Sequence, residues 1–210
     1  EDSIIQPGER IVIVANAEAF ALRHSATSVQ GEFTGGLKNS SETVTLVSAT
    51  STTLLSFTYS DGTDRGGVDD LFWPTSPDGS GPSLVLINPR TGVDLSDPRE
   101  WRPSTMNDGN PASNDSIALP VNPGEDADGD GYSALIELTL GSSDADPNLI
   151  PAPVLGMATY PDGETYLTIT LTRNALIASN VNAQASDDLS GWGTDAILTD
   201  RTSNAHGTET

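Results

Sequence analysis

Apolar and polar side chains alternate strictly in three stretches of the chain. Val44 and Leu46 alternate with Thr43 and Thr45. Leu55, Phe57 and Tyr59 alternate with Ser56 and Thr58. Leu167, Ile169 and Leu171 alternate with Thr168, Thr170 and Thr172. A period of two puts each set on its own face of an extended chain, which predicts half-buried antiparallel strands. Other stretches read as strands by composition. Ile11 to Val14 follows the Pro7-Gly8 turn as a β-branched run, and Ser83 to Ile87 ends before Pro89. Gly31 to Phe33, a piece at Trp101, Val181 to Ala185 and Ala196 to Leu198 are shorter candidates.

Only two stretches favour a helix. Asn16 is placed to cap Ala17 to His24, with Glu18 in the first turn and Phe20 and Leu22 to attach it. Ser133 to Leu140 is apolar and helix-compatible, and Gly141 can end it. Ser60-Asp61-Gly62 and Pro161-Asp162-Gly163 are turn signals. A polar loop from Asp64 to Pro82 carries Phe72-Trp73-Pro74, and Asp187 to Gly193 forms another with Trp192 as its anchor. Many short strands with turn punctuation predict an all-β chain of β-sandwich type.

Charge narrows the functions open to it. Nine Lys and Arg stand against 30 Asp and Glu, a net charge of −21, so the surface repels nucleic acid and anionic lipid and attracts cations. The chain has no cysteine and two histidines, His24 and His206, which leaves no thiolate or histidine-rich metal site. No run of about 18 apolar residues predicts a membrane span. No signal peptide opens the sequence, which therefore reads as a mature product or a fragment.

Residues 126 to 137 read DADGDGYSALIE and match D-x-D-x-D-G-x5-E, the calcium loop of EF-hand type. Calcium is a hard cation that takes six to eight oxygens at about 2.3–2.6 Å. Asp126, Asp128 and Asp130 would supply side-chain oxygens, Tyr132 its backbone carbonyl, and Glu137 two oxygens to close the site. Gly131 allows the sharp turn, and Ala134 leaves one vertex to water. Pro120 and Pro123 rule out an entering helix, so the motif is half an EF-hand. Asp144 and Asp146 read first as a polar turn before Pro147, and second as completing the site or adding another.

The organisation that follows is 1–119 as a β-sandwich, 120–153 as a linker holding the calcium loop and short helix, and 154–210 as a small β-module. Pro120 to Glu125 is the expected hinge, and Pro147, Pro151 and Pro153 stiffen the other end.

The stretch DADGDGYSALIELTLGSSDADP resembles the calcium-binding repeats of thrombospondin type 3 and dockerin kind in secreted bacterial proteins. Those repeats typically follow the helix with a Gly-Thr-Asp-Pro-like turn, here two residues longer. PGERIVIVANAEAFALRHS (7–25), GEFTGGLKNSSETVTLVSA (31–49), LLSFTYSDG (54–62), GPSLVLINP (81–89) and DLSDPREWRPS (94–104) resemble the lamin-tail domain. That resemblance implies an immunoglobulin-like sandwich, here lacking N-terminal strands. YLTITLTRN (166–174) and ASDDLSGWGTDAIL (185–198) are similar to C-terminal β-modules that follow such repeats, here lacking a final strand. Together they imply an excerpt of a larger exported bacterial protein, secreted or at the cell surface.

The sequence carries no G-x-S-x-G, P-loop, G-x-G-x-x-G or H-E-x-x-H. His24 fits a helix C-terminus better than a catalytic base, and His206 lies in a polar tail. Phe72, Trp73, Trp101 and Trp192 offer a sugar- or peptide-binding surface, or else loop anchors. Asp61, Asp64, Asp69 and Asp70 offer a second calcium site. Asn39 and Asn114 stand in glycosylation sequons. The expectation is a non-enzymatic, extracellular calcium-binding structural or adhesion module, in which calcium (Ca2+) rigidifies the connection between two β-domains. Expected partners are calcium, neighbouring domains or other copies of the chain, and a glycan or cell-surface partner, without nucleic acid or membrane insertion. The alternatives are an accessory region of a secreted enzyme, hydrolase or spore-coat-kinase-like, and a carbohydrate-binding module.

Overall fold

A computed structural model describes residues 4–61, 73–177, 181, 183–186, 188–193 and 208–210. The expectations for Gly62, Asp64, Asp69, Asp70, Phe72, Ala196 to Leu198 and His206 fall outside these residues. The chain parts into two compact units, Glu1–Ser116 and Ile117–Thr210. The described strands form five two-stranded sheets, and the α-helices are short, so the class is β-rich.

In the first unit, β1 (Ile13–Val14) pairs in parallel with β2 (Gly31–Glu32). Val12 and Val14 turn into the core while Ile13 faces out. Helix α1 (Ala17–Ala21) starts where expected: Asn16 is extended, and its side-chain oxygen accepts the Ala19 N–H at 2.8 Å. It stops short of the expected His24. The Phe20 carbonyl is shared by the N–H groups of Arg23 and His24, which tightens the chain into a turn. Leu22 is 88% exposed and attaches nothing; the Phe20 ring packs against His24 instead.

Strands β3 (Ser41–Val47) and β4 (Thr53–Ser60) pair antiparallel as their alternation predicts. Val44 faces Phe57 and Leu46 faces Leu55 on one side. On the other, hydroxyls pair across the strands, Thr43 with Thr58 at 2.8 Å and Thr45 with Ser56 at 3.1 Å. Strand β5 (Pro82–Leu86) pairs with β6 (Trp101–Asn107), which is longer than the short piece expected at Trp101. Pro103 argues against a strand in sequence. In a two-stranded sheet one edge of each strand needs no ladder partner, so the missing N–H costs little.

Trp101 joins the two hairpins. Its ring stacks on Phe57 at 5.4 Å and meets Trp73 at 5.9 Å, and its indole N–H donates to the Leu95 carbonyl at 2.9 Å. Trp73 is 3% exposed, which makes it a core residue with its face already covered. Beside this core Arg102 is buried. It donates to Asp115 Oδ1 at 2.7 Å and to the Pro103 carbonyl at 2.9 Å. The same Asp115 oxygen accepts the Thr105 N–H at 2.9 Å.

The second unit holds helix α2 (Ala134–Leu140), the hairpin β7 (Val154–Thr159) and β8 (Thr165–Thr170), and the small sheet of β9 (Arg173–Asn174) with β10 (Thr208–Glu209). Among its described residues the buried hydrophobic side chains are Ala134, Ala175 and Ile177. Helix α2 lies against β9, and Ile117 donates its N–H to the Leu176 carbonyl at 3.1 Å. The β7–β8 register sets Met157 opposite Leu167 and Leu155 opposite Ile169. Alternation there predicts half-buried strands, but Leu167 is 71% exposed, because among the described residues no layer covers that face. Trp192 is also mostly exposed; its loop is shaped by Asp188, whose side chain accepts from Ser190 and Gly191. The Ser190 hydroxyl foremost, with those N–H groups, holds the Asp188 carboxyl down to about 2.

Candidate metal centre

The chain from Asn122 to Asp146 folds back on itself around the carboxylates of the 126–137 loop. The loop's own aspartates shape its backbone. Asp126 accepts the N–H of Gly129 at 2.8 Å and of Gly131 at 3.0 Å. Asp128 accepts the Asp130 N–H at 3.2 Å, and Asp130 accepts the Tyr132 N–H at 2.8 Å. Gly131 has φ +98° with open space where a Cβ would stand, so conformation rather than room requires glycine there. The result brings one oxygen each from Asp126, Asp128 and Asp130 within 4.8 Å of one another, a group that could hold a metal ion.

Helix α2 then delivers the fourth carboxylate. Ser133 is the N-cap residue but makes no side-chain cap. The carbonyls of Glu125 and Pro123 take the Ala134 and Leu135 N–H groups instead, at 2.7 and 3.1 Å. The stretch read as a hinge thus caps the helix. One turn later stands Glu137, at 0% exposure. At the other end Gly141 is left-handed, and Ser142 turns back to donate its N–H to the Glu137 carbonyl at 2.9 Å and its hydroxyl to Glu137 Oε1 at 3.0 Å. Asp144, beyond that turn, accepts the Ala127 N–H at 2.8 Å.

Three of these carboxylates keep a buried oxygen with no hydrogen-bond partner: Asp128 Oδ2, Asp130 Oδ2 and Glu137 Oε2. Buried polar atoms are almost always paired, and an uncompensated buried carboxylate is among the costliest features a fold can hold. No Lys or Arg of the described residues forms an ion pair with them. The Glu137 carboxyl is raised above its ordinary value, by burial first and by the charges of Asp128, Asp130 and Asp144, against the pull of the Ser142 hydroxyl. Asp128 is raised likewise, by burial first and then by Asp130, Asp126 and Asp144. The residues fit a cation: hard oxygen donors, a fixed backbone turn, and buried lone pairs that no protein donor satisfies.

Of the four expected carboxylates, Asp126, Asp128 and Asp130 come within 4.8 Å of one another, while Glu137 stands behind them and is not part of that group; the Tyr132 N–H helps shape the loop. Sequence reasoning missed Ser142, which pins Glu137, and set Asp144 aside first as part of a polar turn. Spacing within the motif held no sign of either. Asp146 does form its own turn, accepting twice from Asn148. Among other candidates, Trp73 and Trp101 are core residues, and Asn114 is engaged by Arg10. Among the described residues no helix is long and apolar enough to cross a membrane. Compared with models of known families, with curated proteins and with solved structures, the chain matches none.

Proposed function

We propose that the protein is a non-enzymatic, extracellular calcium-binding structural or adhesion module whose second unit is held in shape by a bound Ca2+. The observation that carries this reading is Glu137, fully buried with one oxygen unpartnered, on a helix turn behind a loop whose Asp128 and Asp130 show the same feature. Oxygen-only donors at irregular loop geometry favour calcium over magnesium, which demands a near-ideal octahedron, and over softer metals, which prefer nitrogen or sulfur. The ion's role is electrostatic and architectural. It neutralises carboxylates that otherwise repel one another and ties the loop to helix α2.

The remaining parts of the reading follow. Within the second unit the ion fixes the stretch from the 126–137 loop to helix α2, ahead of the β7–β8 hairpin. For the first unit an immunoglobulin-like, lamin-tail sandwich is supported by the β3–β4 and β5–β6 hairpins meeting through Phe57 and Trp101. The strong negative charge suits a calcium-rich exterior of a bacterial cell. The test is thermal unfolding of the wild type and of Glu137→Gln in calcium and in chelator. Calcium should raise the wild-type melting temperature and leave the variant's unchanged. An identical wild-type melt in both conditions would dismiss calcium as a structural element.

A further inference from the structure

Resting on that reading, we propose that Asp144 is a ligand of the same ion, so that the chain closes on the metal from both ends of helix α2. The motif 126–137 does not contain Asp144, and Asp146, two positions on, is engaged in its own turn with Asn148.

The geometry separates these two acids. Asp144 Oδ1 accepts the N–H of Ala127, the second residue of the loop, at 2.8 Å, across 17 positions of sequence. That bond sets the Asp144 carboxyl beside the start of the loop and leaves its second oxygen for another partner. The pointer to a ligand at this place is independent of the acidic cluster itself. Glu137 is wholly buried, and its Oε1 is taken by Ser142 while its Oε2 has no partner. Ser142, just past the left-handed Gly141, pins Glu137, and Asp144 stands two positions on, in the next turn, where the Asp146 N–H meets the Ser143 carbonyl at 3.1 Å, so one short segment presents both. A monodentate Asp144 helps fill a calcium shell of six to eight oxygens, in which Ala134 contributes no side-chain oxygen.

The experiment titrates the whole chain with calcium by calorimetry and with terbium by luminescence, sensitised by Tyr132, reading bound waters from lifetimes in H2O and D2O. Asp144→Asn keeps an acceptor for Ala127 and loses the charge; Asp144→Ala removes both. We expect Asp144→Asn to weaken calcium binding at least about tenfold. The terbium ion should gain about one water, and Asp146→Asn should stay within about twofold of wild type. Wild-type affinity in Asp144→Asn, with binding lost in Glu137→Gln, overturns the assignment and leaves the calcium site standing. Weakened binding with an unchanged water count makes Asp144 a residue that shapes the loop and also overturns it. An equal loss in Asp146→Asn overturns it as a general charge effect. A wild type that takes up no calcium removes this inference together with the reading beneath it.

Discussion

The two units bury charge in opposite ways. In the first, Arg102 and Asp115 lie together in the interior, and Asp115 is further satisfied by the Thr105 N–H. The chain supplies both signs. In the second, Asp128, Asp130 and Glu137 present buried oxygens of one sign only. Residues 117–210 hold just two cationic side chains, Arg173 and Arg201, against 14 acidic ones, and no Lys or Arg of the described residues pairs with this group. Among the described residues the buried apolar side chains differ in size too: the first unit has Trp73, Ile87 and Trp101 with Val12 and Val14, the second Ala134, Ala175 and Ile177. Unopposed carboxylates brought this close together form a group that could hold a metal ion, and on the reading proposed above that ion is what offsets them.

The contrast breaks most sharply at Arg102. Arg102→Met should leave Asp115 buried without its partner and cost about 3–5 kcal/mol in urea unfolding, equally in calcium and in chelator. Glu137→Gln should behave differently. It should erase the stabilisation that calcium gives, about 2.7 kcal/mol at a hundredfold excess over Kd, while the variant in chelator is no less stable than wild type. If Glu137→Gln destabilised the chelated protein as Arg102→Met does, the second unit would not differ in kind from the first.

Acidity offers a gentler handle, and its sign depends on the ion. In chelator the raised carboxyls of Asp128 and Glu137 favour the protonated form in the fold, by burial first and like charge second. Stability should therefore rise as pH falls from neutral through their raised values. With calcium bound the trend should reverse, because protons compete with the ion. Asp188, held at about 2, gives up its contribution only as pH falls well below the ordinary carboxylate range, so it does not mask this window. Melts at pH 7 and pH 5 with and without calcium check both signs. The smallest effect belongs to the surface. Arg23 pairs with Asp108 in full view of solvent, and Arg23→Ala should change stability by less than about 1 kcal/mol in either condition.

The patterns that were legible in sequence are those that depend on neighbours along the chain. Asn16 capping α1, the Val44/Leu46 and Leu55/Phe57 alternation, and the left-handed Gly141 ending α2 are local, and each appears in the structure. So does the convergence of Asp126, Asp128 and Asp130, because a twelve-residue loop brings its own acids together. What was illegible depends on distant contacts. Alternation in β8 says which residues share a face, yet whether that face is covered is decided elsewhere, and Leu167 stays exposed. Trp73 and Trp192 look alike in their loops; the first is buried against Trp101, and the second, among the described residues, stays mostly exposed. Asp144 and Asp146 are two positions apart in a polar turn, and only the fold brings one of them to Ala127.

The most direct measurement is a two-dimensional amide NMR spectrum of the whole chain, first in chelator and then through a calcium titration. Saturable shifts should appear at Ala127, Gly129, Gly131 and Ser142, with the Arg102 to Asp115 signals of the first unit unmoved. A spectrum in which the Gly129 and Gly131 amides do not respond to millimolar calcium would contradict a cation-dependent second unit.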